Sequence, residues 1–392
     1  MQYASPYTVT LDNKIADKAG NRMEWYQFKF YTAAPAALTE FDALAAKYAP
    51  VIYQAVSPTA PQFDYLAAFE FDGDWKASNN DANIKTATSI TPYVYYDVVE
   101  TKSHYFVRYA FFWPRHVGVS TDDAFANDLA GSMVVVQKHP EEHPISVQNY
   151  FFNGNREIQG FVTNESGLSY RATEKYDQAV LFKGNRWEAY LTAGAHENCL
   201  WIRDNTQSNT PCQKNGNPSH YIQYVYEGGT AEPIAKATTF PNNLTEVGYG
   251  LKSILGEWWT RRDAVDANGI WGSTVSYTPL ASCDDCLGAG QIVPQSFQNP
   301  VSPTTAWKGF APWGWEWLTG IGQFFESPAG FFFIDPAHFF ATRHSITVNE
   351  DVDDVDVDYY SVQYCFNPYL SVDRRDEPGC GDNPLVADAV AE

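Results

Sequence analysis

Five stretches of the 392-residue chain carry side chains able to do chemistry. In FDGDWKASNN (71–80), Asp72 and Asp74 flank Gly73, with Asn79, Asn80 and Asp81 close behind. Oxygen donors at alternate positions around a glycine suit calcium, which accepts six to eight oxygens in irregular geometry. The twelfth position of an EF-hand loop would need a bidentate acid, and Asn83 stands there. The plainer reading is an Asp-Gly turn capped by its own side chains. In HVGVSTDDAFANDLAG (116–131), Asp122, Asp123, Asn127 and Asp128 crowd an acidic loop with His116 at its entrance. Like charges so close repel unless a cation or an arginine sits among them; a solvated loop is the alternative. TAGAHENC (192–199) ends a strand with His196 and Glu197, an imidazole beside a carboxylate. That pair serves as metal ligand or general base, or is plain surface.

The fourth stretch, FFFIDPAHFF (331–340), sets Asp335 and His338 in apolar surroundings. A buried Asp335 must be paired or hydrogen-bonded, and it can cap the turn that Pro336 starts. In NEDVDDVDVDYY (349–360), Asp354, Asp356 and Asp358 share one strand face, and protection of a sheet edge is the better account of them. The candidate metal set is therefore Asp72, Asp74, Asp122, Asp123, Asn127, Asp128, His196 and Asp335, for calcium or another divalent cation. No catalytic residue is assigned. The G-x-S-x-G elbow, the P-loop, G-x-G-x-x-G and H-E-x-x-H are all absent, which removes the easy hydrolase, nucleotide and metalloprotease readings.

Charge and cysteines bound the setting. Lys plus Arg total 26 against 47 Asp plus Glu, a net charge of −21, so neither a nucleic-acid backbone nor an anionic lipid surface is an expected partner. No stretch approaches the roughly 18–20 apolar residues of a transmembrane span. The opening MQYASPYTVTLDNK lacks the basic and apolar regions of a signal peptide, and the expectation is a start Met on a mature chain. The six cysteines fall into three sequence-local pairs, Cys199 with Cys212, Cys283 with Cys286, and Cys365 with Cys380. Disulfides in an oxidising, extracellular compartment are the economical choice among fifteen pairings. The rival for Cys283 and Cys286, half a zinc site or a redox pair, lacks a second ligand knuckle and a βαβ context.

The elements that must position these residues read as mainly β. Residues 36–48 space apolar side chains at helical intervals, and Pro50 stops the run. Strands are predicted at 93–99, 104–112, 133–138, 145–152, 156–162, 178–183, 186–192 and 220–226, with Asp97, Glu100, Lys102 and Arg108 on a wet face. A second helix is predicted at 246–261, then a loop-rich excursion over 263–315 and a return to strands. The expected fold is an antiparallel β-sandwich core with peripheral helices and long loops. Its expected division is strands and a helix packing on the core over 1–60, the core at 61–235, and a helix- and loop-rich extension over 236–392.

Several motifs, taken together, resemble a bacterial group of extracellular proteins. They are LAAKYAPVIYQ (44–54), FDGDW (71–75), YVYYDVVETKSHYFVRYAFFWPR (93–115), APWGWEW (311–317), GFFFIDPAHFF (330–340) and CFNPYL (365–370). The group is similar to the vacuolar-protein-sorting-sixty-two-like family and, more remotely, to necrosis-inducing-peptide-like proteins. The resemblance implies a β-sandwich, secretion and, in the necrosis-inducing branch, a divalent cation used to grip sphingolipid head groups. The group's loop pattern, His-Glu-Asn-Asp-x-Glu-Gly, meets Phe125-Ala126-Asn127-Asp128-Leu129-Ala130-Gly131 here. Asn127, Asp128 and Gly131 are kept, His196 and Asp335 match later motifs, and the His and both Glu are lost. The resemblance thus implies a degraded metal site, with Phe125 and Ala126 packed in apolar surroundings. The expected function is a secreted, acidic binding or structural protein, whose partner is a glycan, a cell-surface component or another protein subunit. The alternatives are a metal-dependent hydrolase on an extracellular substrate, using Asp128, His196 and Asp335, and a membrane-active toxin.

Overall fold

The computed structural model describes residues 6–11, 26–31, 40–117, 124–139, 142–151, 158–162, 169–171, 182–183, 186–200, 221–226, 234–235, 245–261, 276–278, 293–296, 336–337, 345–347, 361–370 and 372–380. Thirteen strands form one sheet: β1 (Val51–Ala55), β2 (Tyr93–Thr101), β3 (His104–His116), β4 (Phe125–Gln137), β5 (His143–Phe151), β6 (Ile158–Val162), β7 (Phe182–Lys183), β8 (Arg186–Leu191), β9 (Asn198–Leu200), β10 (Tyr221–Tyr226), β11 (Thr245–Ser253), β12 (Tyr364–Asn367) and β13 (Val372–Asp373). Their order is β7-β8-β1-β10-β11-β2-β3-β4-β5-β6, with β9 on β8, and β12 joining β2 to β13. The pairs β8–β1, β10–β11 and β11–β2 are parallel. The fold is mainly β, as expected, but the sheet is mixed and curls into a half-barrel rather than forming an antiparallel sandwich.

The centre of the sheet explains the difference. Nearly every residue of β2 and β3 is buried, so both faces of these strands are covered. Strands covered on both sides belong to the interior of a wrapped sheet, not to a face open to water. The expected wet face is accordingly corrected. Asp97 and Arg108 are register partners across β2 and β3, both wholly buried, with Arg108 Nε 2.6 Å from Asp97 Oδ1. Lys138 donates to buried Glu100 at 2.6 Å. Charges enter this core only because each meets its opposite. Lys102 alone of the four is exposed.

Helix α1 (Glu40–Tyr48) carries the predicted helix, with Phe41, Leu44, Ala45 and Tyr48 on its buried face at helical spacing. The helix predicted over 246–261 is corrected. Its first half is β11, in register with β10 and β2, and only Ile254–Glu257 and a 3₁₀ turn at Trp259–Arg261 are helical. Gly248 and Gly250 weaken a helix there, while buried Tyr249 donates its hydroxyl to Pro50 O at 2.7 Å from within the sheet. Ser253 then caps the short helix by accepting from Gly256 N. The acidic stretch at 116–131 is also corrected in part, because Phe125–Gly131 lies inside β4. The turn and helix that flank the site complete the frame: a 3₁₀ turn at Pro61–Asp64, and α2 (Asn80–Ile84).

Candidate functional site

The end of β3 and the start of β4 lie side by side, so Trp113 faces Asp128 and His116 faces Phe125 in the register. The side chain of Asp128 reaches His116, with Nδ1 2.7 Å from Asp128 Oδ2. Its other oxygen accepts from Leu129 N at 2.9 Å, which fixes the carboxylate's orientation. The loop after β8 brings His196 to the same oxygen, Nδ1 to Oδ2 2.8 Å. The opposite nitrogen, Nε2, lies 3.2 Å from Oδ1 of Asp64, at the end of the 3₁₀ turn. His116, Asp128 and His196 thereby bring metal-competent atoms within 4.8 Å of one another.

The local backbone is shaped to make this meeting. Gly194 has φ +74, and a Cβ there would stand 2.5 Å from Val117 O, so only glycine lets the loop approach the end of β3. Val117 N donates to Gly194 O at 2.8 Å, and Gly194 N donates to Asp64 Oδ1 at 2.6 Å. His196 itself sits at φ +50 and Asn127 at φ +63, conformations that side-chain-bearing residues adopt only when their surroundings enforce them. For Asn127 the enforcement is visible: it donates to Ala77 O and accepts from Asn80 Nδ2, both at 2.7 Å, tying β4 to α2.

Burial sets the electrostatics. His196 is wholly buried, Asp64 and Asp128 are within 1% of it, and the His196 ring stacks flat on Trp113 with centroids 4.2 Å apart. Desolvation by itself works against a charged imidazole, but the hydrogen bonds its ring nitrogens donate to Asp128 and Asp64 outweigh it and raise the His196 pKa to about 9. Burial likewise opposes the Asp128 carboxylate, and the His116 and His196 hydrogen bonds overcome it, holding its pKa below the usual carboxylate value. Without metal, the cluster is a carboxylate–imidazolium–carboxylate sandwich closed by protons. It is also a fit donor set for a metal: two imidazole nitrogens and one carboxylate, with Asp64 on the far nitrogen of His196 as an outer carboxylate. Such an ion would be held by His116, Asp128 and His196, and would supply fixed positive charge.

A cavity of about 460 Å³ opens beside the cluster, and Asp64 belongs to both. Ser57, Thr59, Phe63, Arg115 and Gly194 are among its other lining residues. The Arg115 guanidinium lies 5.3 Å from the centre of the Phe63 ring and pairs with Asp81 of α2. Its buried Nε has no hydrogen-bond partner among the described residues.

Of the metal candidates named from sequence, the structure brings Asp128 and His196 together; Asn127 stands next to them but spends its amide on Ala77 and Asn80. Asp72 and Asp74 lie in a separate turn around Gly73, whose φ is +94. Asp72 accepts from Asp74 N and Asn83 Nδ2, and Asp74 accepts from Lys76 N and Asn79 Nδ2. That is the bonding of a self-capped turn. Asp122, Asp123 and Asp335 lie outside the described residues, as does the acidic stretch at 349–360. So do the side chains of Phe125 and Cys199 and the residues Cys212, Cys283 and Cys286, which leaves the pairs 199–212 and 283–286 undescribed, whereas Ala126 is half-buried. Cys365 and Cys380 form the expected disulfide. Sequence reasoning missed Asp64 altogether and left His116 out of the ligand set. A lone Asp inside the apolar run FDYLAAF (63–69) was the available signal, since a buried carboxylate there needs a partner.

No family model matches the chain, and no curated protein matches it, so neither comparison supports the vacuolar-protein-sorting-sixty-two-like resemblance. Solved structures show a remote likeness to necrosis-inducing-peptide-like proteins. One, described as a toxin fold for microbial attack and plant defense, is 12% identical, with 61% of this chain and 85% of that chain covered at a TM-score of 0.29. NLPPya in complex with glucosamine is 14% identical, covering 62% and 86% at a TM-score of 0.31. NLPPya in complex with mannosamine is 12% identical, covering 62% and 86% at 0.28. Likeness of this size transfers neither a site nor an activity to this chain.

Proposed function

We propose that the protein is an extracellular binding protein that takes a saccharide in the cavity beside the histidine cluster. The carrying observation is that the cavity and the cluster share Asp64 while the cluster's imidazoles stay buried. A catalytic metal or general base needs an open position toward its substrate. Here the groups capable of chemistry are walled in, and what faces the cavity is suited to recognition. An aromatic ring, the Arg115 side chain, and the hydroxyls of Ser57 and Thr59 make a mixed apolar and polar lining. Sugars present that same mixture of C–H faces and hydroxyls. The volume, about 460 Å³, suits one or two sugar rings. The Cys365–Cys380 disulfide supports an oxidising compartment.

Titration calorimetry with mono- and disaccharides tests the reading, using wild type and a cavity-filling variant, Ala193→Trp. Ala193 is an exposed lining residue outside the cluster. The expected result is binding by wild type, and its loss in the variant with an unchanged melting temperature. Equal binding by both proteins would move the ligand elsewhere.

A further inference from the structure

Beyond saccharide binding, the donor chemistry of the buried cluster bears on which ion it takes. We propose that His116, Asp128 and His196 form a nitrogen-rich centre that selects a divalent transition ion of the zinc class and excludes calcium. Three observations converge on it.

The donors come first. Two imidazole nitrogens meet one carboxylate oxygen within 4.8 Å, the ligand mixture that borderline-soft ions favour. Calcium needs six to eight oxygens. The described surroundings offer Asp128 as the inner carboxylate, and one of its oxygens is already occupied by Leu129 N. Burial comes second. His196 is wholly buried, and Asp128 and His116 nearly so, so among the described residues these donors meet little of the solvent from which a calcium shell is usually completed. The outer shell comes third. His196 offers Nδ1 inward while Nε2 is held by Asp64, the carboxylate–histidine arrangement that orients a metal ligand and strengthens it as a base. Trp113 stacked on the same ring fixes its plane. A calcium site has no use for an oriented imidazole.

The test is direct metal binding by the whole chain after stripping with chelator, so its outcome is independent of whether any saccharide binds. Zinc and calcium are titrated separately, and cobalt(II) serves as a visible probe. The expected result is one zinc per chain, bound at least about 100-fold more tightly than calcium. Cobalt should give d–d absorption without the near-ultraviolet charge-transfer band of thiolate ligation. His116→Gln and His196→Gln should each weaken zinc by about 10-fold or more. Asp64→Asn, which keeps all three inner ligands, should weaken it about 10- to 100-fold, the usual effect of an outer carboxylate. Should either histidine variant fail to fold, by circular dichroism, Asp64→Asn carries the test. Calcium binding as tight as zinc, no binding of either ion, a thiolate band with cobalt, or zinc affinity unmoved in the folded variants would each overturn the proposal.

Discussion

Asp64 is the residue on which the site turns. Its Oδ1 accepts from Gly194 N and faces His196 Nε2, while Oδ2 accepts from Ser57 N. Replacing it with Ala would strand two backbone donors and a buried imidazolium. Removing one partner of a buried pair in this way costs about 3–5 kcal/mol, and chemical denaturation of Asp64→Ala measures it. Gly194→Ala should cost about 1–3 kcal/mol, because its Cβ meets Val117 O and its φ is positive. The pH dependence follows from His196. Its folded pKa of about 9 stands above the unfolded 6.5, so its contribution is complete below pH 6.5 and is lost as pH rises through 9. That shift corresponds to about 3 kcal/mol. Asp128, with its lowered folded pKa, acts at the other end: its contribution is present above the unfolded 3.8 and is lost as pH falls through the folded value. In chelator, wild type should therefore lose stability between pH 7 and 10, and His196→Gln should not. Parallel alkaline melting curves for the two proteins would contradict the imidazolium.

Among the elements, the segment 361–380 shows how a distant piece of chain is fixed. β12 pairs with β2, Tyr369 donates its hydroxyl to buried Asp97, and its ring lies 4.8 Å from the Arg108 guanidinium. The Cys365–Cys380 disulfide closes this segment over 15 residues. Loop-closure entropy assigns such a bridge about 3 kcal/mol. Cys365→Ser with Cys380→Ser should lower the melting temperature by several degrees, and an unchanged transition would mean that packing alone holds the segment. What the sequence made legible follows the strength of local patterns. The β-branched and aromatic runs at 93–99 and 104–112 are strands because their residue types favour nothing else. The segment 246–261 misled because its apolar spacing at Ile254, Leu255 and Trp258 is helical, while Gly248 and Gly250 commit the preceding residues to β11. Sheet order was not legible at all. The parallel pairing of β8 with β1 joins residues more than 130 positions apart, and no local pattern encodes such a contact.

At the scale of the whole molecule, the same limit decided what could be seen of the site. Asp128 and His196 were visible as residue types able to do chemistry, but Asp64 joins them only through the curl of the sheet. The net charge of the whole chain is −21, and among the described residues the buried Asp97, Glu100 and Asp128 meet Arg108, Lys138 and the two histidines. A neutral saccharide should therefore bind with little dependence on salt, since no net charge is neutralised on binding. The most direct test of the central claim is a saccharide array probed with wild type, Phe63→Ala and Arg115→Ala, with each captured glycan analysed afterwards for cleavage. Both variants should remain folded, because the two side chains line an open cavity and Asp81 keeps its pairing with Lys85 when Arg115 is removed. The account predicts intact glycans captured by wild type and lost from both variants. Glycans cleaved by wild type, or retained equally by all three proteins, would contradict it.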